Sequence, residues 1–307
     1  MGLARASTLA ASFALGLLGC AHPLTSAQPA SATEAAYDGP VVDVHAHLRL
    51  GEDDGAEPDQ PIGTRELRAL AEQAGVVHSA LIVMARKGEP EATRARNDAV
   101  IAAARASGGF FYAVASVHPD DGDAALAELA RLAGLGVRVI KLHPNTQKFD
   151  VADPGVARVV QAAGDLGLVL LFDGFSPWDA EQTGKFLLLA IQHPKARLIL
   201  AHMGAVRFHE FALFGMVRRF AWYPRNVWCD LSAVAVFYAD SPYREQLVWV
   251  IRKVGTDRIL FGSDWPVDTP ARAVAAVRAL GLTRAEQAQI LYTNAATLLG
   301  LASASGR

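Results

Sequence analysis

The sequence predicts a single (β/α)8 TIM barrel with one extra helix at its C-terminal end. Three observations predict it. Eight short apolar runs alternate with longer amphipathic or Ala/Leu-rich stretches. The runs begin roughly 25–40 residues apart, the length of one strand–helix unit. The part of the chain that carries them, 40–303, is the size of one such domain, about 250 residues. The runs are Val41–His45, Val77–Met84, Phe110–Val117, Val137–Leu142, Leu168–Phe172, Leu198–Ala201, Val227–Leu231 and Ile259–Gly262. They are rich in Val, Ile, Leu and Phe with little polar alternation, as in parallel strands covered on both faces. Helices are expected over Thr64–Ala74, Arg94–Ala106, Ala124–Ala133, Gly155–Leu166, Ala180–Gln192, Arg207–Phe220, Tyr243–Val254 and Ala271–Leu280. A closing helix, Arg284–Leu299, is expected across the outside of the barrel. Eight such pairs fit a closed barrel better than an open doubly wound sheet.

Composition excludes several classes. The chain has 307 residues, 51% hydrophobic and 20% charged, which rules out a disordered protein. A net charge of −2 advertises no nucleic-acid partner. Two cysteines, Cys20 and Cys229, cannot build a disulfide framework. The N-terminus reads as an address. Arg5 precedes an apolar run, Ala6–Leu18, that suits a signal-peptide core and falls short of the roughly 20 residues a membrane span needs. Leu17-Leu18-Gly19-Cys20 resembles a bacterial lipobox. That resemblance implies a lipoprotein signal peptide over 1–19, lipidation of Cys20 and a place in the bacterial cell envelope, on the periplasmic side or the cell surface. The Ser/Ala/Pro/Thr-rich stretch 20–39 reads as a flexible tether.

In a barrel of this kind the reactive groups lie where strands end and loops begin. The first run ends Asp43-Val44-His45-Ala46-His47, and two histidines at i and i+2 of a strand share a face and can share one metal ion. Other runs end Lys141-Leu142-His143-Pro144, Phe172-Asp173-Gly174, Ala201-His202-Met203-Gly204 and Gly262-Ser263-Asp264-Trp265-Pro266. Charged groups at the ends of buried strands are costly unless paired or metal-bound, so five polar strand ends point to a metal site.

These segments, in this order, resemble the amidohydrolase-2 family of metal-dependent barrel enzymes, which includes the aminocarboxymuconate-semialdehyde decarboxylase type. Asn294-Ala295-Ala296-Thr297-Leu298-Leu299-Gly300 resembles that family's closing helix, and the likeness runs from about Val41 to Leu301. It implies that His45 and His47 are metal ligands. Asp264 would be the ligand from the last strand and would also manage a proton, and His202 would be the acid/base beside the metal. The family carries a histidine ligand at the end of strand 5, where this chain has Asp173. With Asp173 as a ligand the centre would be less positive and would acidify its water less. The cofactor expected is one divalent ion, zinc first, with manganese or iron as alternatives.

Around this centre, Lys141, His143, Arg86 and Trp265 are candidate substrate-binding residues, and Trp178 a candidate aromatic wall. Lys141 has two readings, a charge aimed at a substrate carboxylate or a carboxylated bridge between metals. Asp43 reads as a support behind His45, and His118 as a second lining candidate. His78, His193, His209 and Cys229 read as structural. The activity expected is a metal-activated water attacking a small amide, lactone or cyclic ester. The alternatives are a non-oxidative decarboxylase in the same barrel and a binding lipoprotein with a weakened centre. The partners expected are a small-molecule substrate, a membrane reached through the Cys20 lipid and, with the outer wall free, a homodimer.

Overall fold

The computed structural model describes residues 35–48 and 63–301. The expected signal peptide over 1–19, the expected lipidation site Cys20 and most of the expected tether lie outside the described residues. The eight strands are β1 (Val41–Asp43), β2 (Val76–Ile82), β3 (Phe111–Ser116), β4 (Val139–Leu142), β5 (Val169–Phe172), β6 (Arg197–Leu200), β7 (Val227–Asp230) and β8 (Ile259–Leu260). All neighbours pair in parallel, in sequence order from β1 to β8. The ring closes through backbone bonds from Val44 N to Phe261 O (3.0 Å), Asp264 N to His45 O (2.7 Å) and His47 N to Trp265 O (2.8 Å). The fold is therefore the TIM barrel that the alternation of runs predicts.

The first half of the helical layer is α1 (Thr64–Gln73), α2 (Pro90–Ala106), α3 (Asp123–Gly134), α4 (Pro144–Gln147), α5 (Pro154–Asp165) and α6 (Gln182–Gln192). The second half is α7 (Ala212–Val217), α8 (Val234–Tyr238), α9 (Arg244–Val254), α10 (Pro270–Ala279), α11 (Arg284–Ala288) and α12 (Asn294–Leu299). Proline opens α2, α4, α5 and α10, where its missing N–H costs nothing. Thr283 and Glu286 form a reciprocal capping box on α11. Strand alternation divides the core. On β5, Leu170 and Phe172 face the helices, with Phe172 edge-on to Phe186 of α6, while Val169 and Leu171 fill the barrel interior. No helix among the described residues is long and apolar enough to cross a membrane.

Two elements differ from expectation. A continuous helix over Arg207–Phe220 is not formed. Ala201–Phe211 winds as a 3₁₀-type segment whose first residues, His202 to Ala205, all have positive φ, and only Ala212–Val217 is α-helical. The hydrogen bond from His202 N to Asp230 Oδ1 (3.0 Å) turns the backbone inward before a helix can start. The closing helix does not lie on the outer wall. Ala295 and Leu299 of α12 pack against interior residues such as Val139 and Leu260, and Asn294 Nδ2 donates to Ile259 O (2.8 Å) at the start of β8. It plugs the N-terminal end of the barrel because its apolar face matches the interior side chains exposed there.

Candidate metal centre and active site

At the opposite end, the C-terminal ends of the strands line a cavity of about 240 Å³. Its walls are His45, His47, Lys141, His143, Asp173, His202 and Asp264, with Met84, Thr146, Pro266 and Val267. Pairing of β1 stops at Asp43 and the chain bends at Val44, so the two histidines converge through a bent strand end rather than a straight one. Asp43 supports the bend. Its buried carboxylate accepts from His45 N (3.0 Å), Ser263 N (3.0 Å) and Ser263 Oγ (2.6 Å), tying β1 to the loop after β8.

Three donor atoms form a near-equilateral triangle. His45 Nε2 and His47 Nε2 are 3.3 Å apart, and Asp264 Oδ1 lies 3.3 Å from the first and 3.4 Å from the second. An ion bound at about 2.0–2.1 Å in tetrahedral geometry separates its ligand atoms by about 3.4 Å, so the triangle fits one face of a divalent metal site. Behind it, His45 Nδ1 meets Asp230 Oδ2 at 3.1 Å. A carboxylate on Nδ1 keeps the proton there and leaves the Nε2 lone pair free for a cation, as metal-binding histidines generally require. Burial, and then Lys141, lower the His45 pKa to about 4, so the ring is neutral. The residues present fit a metal ion.

Asp173 sits elsewhere. Its Oδ2 faces His202 Nε2 at 3.2 Å and His143 Nε2 at 3.4 Å, and it is outside the triangle. Burial alone would raise its pKa; the bond to His202 and the charges of His143, His202 and Lys141 hold it well below the usual carboxylate range. Burial likewise opposes the charge on His202, but Asp173 and the nearby Asp264 outweigh it and raise the imidazole to about 9. On the other edge of that ring, Nδ1 meets Ser232 Oγ at 2.9 Å, and Ser232 in turn hydrogen-bonds Asp230. Asp264 is also pulled well below its ordinary value; burial opposes this, and His45, His47 and His202 overcome it.

Lys141 is among the largest fully buried side chains of the barrel, with its Nζ 3.0 Å from His45 Nε2. Burial lowers its pKa, and Asp173, Asp264 and Asp230 partly restore it.

Of the other predicted residues, His143 lines the cavity, with its pKa lowered to about 4, chiefly by burial. Arg86 is exposed and is not among the lining residues, because β2 ends at Ile82 and Met84 is the last residue of that segment to reach the cavity. Trp265 is buried in the core; the next two residues, Pro266 and Val267, form the wall in its place. Trp178 is 87% exposed and forms no wall. His118 is held by Gln147 O at 2.7 Å and accepts from Asp120 N, a structural role. His78 and His193 bond to Gly109 O and Gln161. Cys229 is buried, and burial pushes its thiol pKa well up. Asp230 and Ser232 stand outside the sequence expectations, although both flank the end of the Val227–Leu231 run as the other site residues flank theirs.

Comparison with known proteins matches this arrangement to a family. The amidohydrolase family profile covers residues 42–301, and the chain belongs to that family. Over 119 residues it is 30% identical to the gamma-resorcylate decarboxylase of Rhodococcus jostii (strain RHA1), a match spanning 36% of each chain. Among solved structures, 2,6-dihydroxybenzoate decarboxylase from Rhizobium superimposes with a TM-score of 0.65 at 20% identity, covering 86% of this chain and 99% of that one. A dihydroxybenzoic acid decarboxylase from Polaromonas sp. JS666, with bound manganese and 2-nitroresorcinol, gives 0.66 at 20% identity over 87% and 98%. At these identities the solved structures establish the shared fold. The chain is an amidohydrolase-family enzyme with a site suited to a divalent ion.

Proposed function

We propose that this enzyme removes CO2, without oxidation, from a small hydroxylated aromatic carboxylic acid in a metal-dependent reaction. The observation that carries this reading is the buried Lys141 amine, its Nζ 3.0 Å from His45 Nε2 beside the donor triangle: a basic group enclosed in a small cavity suits a substrate that brings an anion of its own. The decarboxylase relatives support it, and the manganese in one of them, together with the oxygen donors here, puts manganese ahead of zinc. Hydrolysis, the first expectation from the strand ends, is the second reading. Asp264 favours it as an ionised carboxylate placed to take a proton from water.

His45, His47 and Asp264 would hold the ion. When bound, it supplies Lewis-acid polarisation of substrate oxygens and neutralises their charge. Lys141 pairs with a substrate oxyanion and orients the ring. His202, kept protonated by Asp173, delivers its Nε2 proton to the ring carbon that carries the carboxylate. As that C–H bond forms, the C–C bond breaks and the carboxyl carbon leaves as CO2. His202 is then reprotonated from solvent, and Asp173 and Ser232 keep its ring in place meanwhile.

The test is a panel of dihydroxybenzoates and 5-carboxyvanillate beside amides and lactones, run with the manganese- and zinc-loaded chain. CO2 release that falls about 10²–10⁴-fold in His202→Gln, which removes the proton donor, is expected. Lactone or amide turnover without CO2 release would replace this reading with hydrolysis. We also propose that the enzyme works in the bacterial cell envelope on a lipid at Cys20. Labelled fatty acid incorporated by the wild type and not by Cys20→Ala is the expected result.

A further inference from the structure

The N-terminal end of the barrel, away from the cavity, carries an aromatic and basic surface that no step of the reaction uses. It is built where α7 runs down to β7 and α9 runs down to β8. Trp222 and Trp249 are each 58% exposed, Met216 55% and Phe220 46%, so these large apolar side chains are not core. The helices that carry or precede them, α7 and α9, pack against each other. Gly215 of α7 lies so close to Lys253 O of α9 that no side chain fits between the two helices. Phe220 and Trp222 stack in parallel at 5.5 Å, the Arg219 guanidinium lies 5.8 Å from the Phe220 ring, and Lys253 Nζ lies 6.0 Å from the Trp249 ring.

The charge there is predominantly positive. Residues 213–225 contain Arg218, Arg219 and Arg225 and no acid. Of the acids on the flanking elements, Asp257 is committed to Arg218 at 2.6 Å and Glu286 to Arg252 at 2.8 Å; Glu245, exposed one turn before Trp249 on α9, sets a single negative charge against Arg219, Arg225 and Lys253. Stacked aromatics beside unneutralised cations are the composition of surfaces that lie at the boundary of an anionic bilayer. Position supports the same occupant. The described chain enters the barrel at this same end, with residues 35–40 leading into β1, and β1 is the strand on which β8 closes. Thirty-four residues precede Ala35, among them the Cys20 that the lipobox resemblance marks for a lipid.

We propose that the surface formed by Met216, Arg219, Phe220, Trp222, Trp249 and Lys253 docks the barrel on an anionic lipid bilayer, leaving the active-site cavity facing away from the membrane. This docking is separate from acylation of Cys20 and adds to it.

The experiment uses the full chain with Cys20→Ala, which removes any acyl anchor, and two surface variants in that background, Phe220→Ser/Trp222→Ser and Arg219→Glu/Lys253→Glu. Co-sedimentation is measured with vesicles of phosphatidylglycerol and phosphatidylethanolamine, and separately with phosphatidylcholine alone. The expected result is binding to the anionic vesicles that weakens at least about tenfold in each variant and on raising salt to about 0.5 M, with little binding to phosphatidylcholine. Thermal unfolding of each variant close to the parent confirms that the fold is intact. Equal binding by parent and variants overturns the proposal, as does equal binding to both kinds of vesicle. A parent dimer that the variants convert to monomer, with vesicle binding unchanged, also overturns it and assigns the surface to a second copy of the chain.

Discussion

Asp173 shows how one substitution at a strand end redistributes a site. With a carboxylate in place of an imidazole, the end of β5 no longer completes the donor triangle and instead stabilises a proton on His202. Replacing it by Asn should therefore leave bound metal near the wild-type level, as read by mass spectrometry. The His202 pKa, no longer supported by a buried charge, should drop from about 9 toward or below its ordinary 6.5. Because the proposed reaction needs His202 protonated, the alkaline limb of the rate profile should move down by two or more pH units (roughly). Loss of metal with an unmoved alkaline limb would return Asp173 to the role of ligand that the family resemblance implies. Most of this residue set is legible in the sequence, because a charged group ending an apolar run has few bland explanations. What is not legible is pairing. Asp230 is 185 positions from the imidazole it orients, and only closure of the ring brings the two together.

At the scale of elements, close approach of strand ends is what assembles the triangle. Gly262 ends the run of β8 where a Cβ would sit 2.7 Å from His45 Cβ and 3.3 Å from Ser232 Cβ. The backbone of β8 can lie against β1 only because no side chain intervenes. Gly262→Ala should push these ends apart, lowering stability by about 1–3 kcal/mol in urea titrations and weakening metal binding in calorimetry. A variant as stable and as tight as wild type would show that the ends are free to adjust. The order and start of the strands are readable from apolar runs because both faces of a parallel strand are buried. The segment after β6 is not. His202, Met203 and Ala205 hold positive φ, at about 1–3 kcal/mol per residue, against local preference. The bond from His202 N to Asp230 of β7 anchors the first of them, and periodicity carries no trace of such a constraint.

For the molecule as a whole, clustering so many ionisable groups at one end ties stability to pH. In the metal-free chain, His45 and His143 have folded pKa values near 4 against 6.5 unfolded, so between these limits the unfolded chain binds two more protons and stability rises with pH. Asp43, raised by burial to about 7, works against this over the same range, leaving a net gain of about one proton. Above pH 6.5 the balance reverses. His202, with its pKa raised to about 9, contributes stability that is complete below 6.5 and is lost as pH rises through 9, and the remaining Asp43 contribution disappears by about 7. Each unmatched proton is worth about 1.4 kcal/mol per pH unit. The chelator-treated chain should accordingly be most stable near pH 6.5, with the unfolding midpoint falling on both sides. Loading with manganese at about 100 times its Kd should add about 2.7 kcal/mol. That gain should shrink as pH falls toward 4, where His45, with its folded pKa near 4, takes a proton in place of the ion. Thermal unfolding at pH 4, 5, 6.5 and 8, with chelator and with metal, measures both effects. An apo midpoint that climbs steadily to pH 8 would mean that Asp173 does not hold a proton on His202.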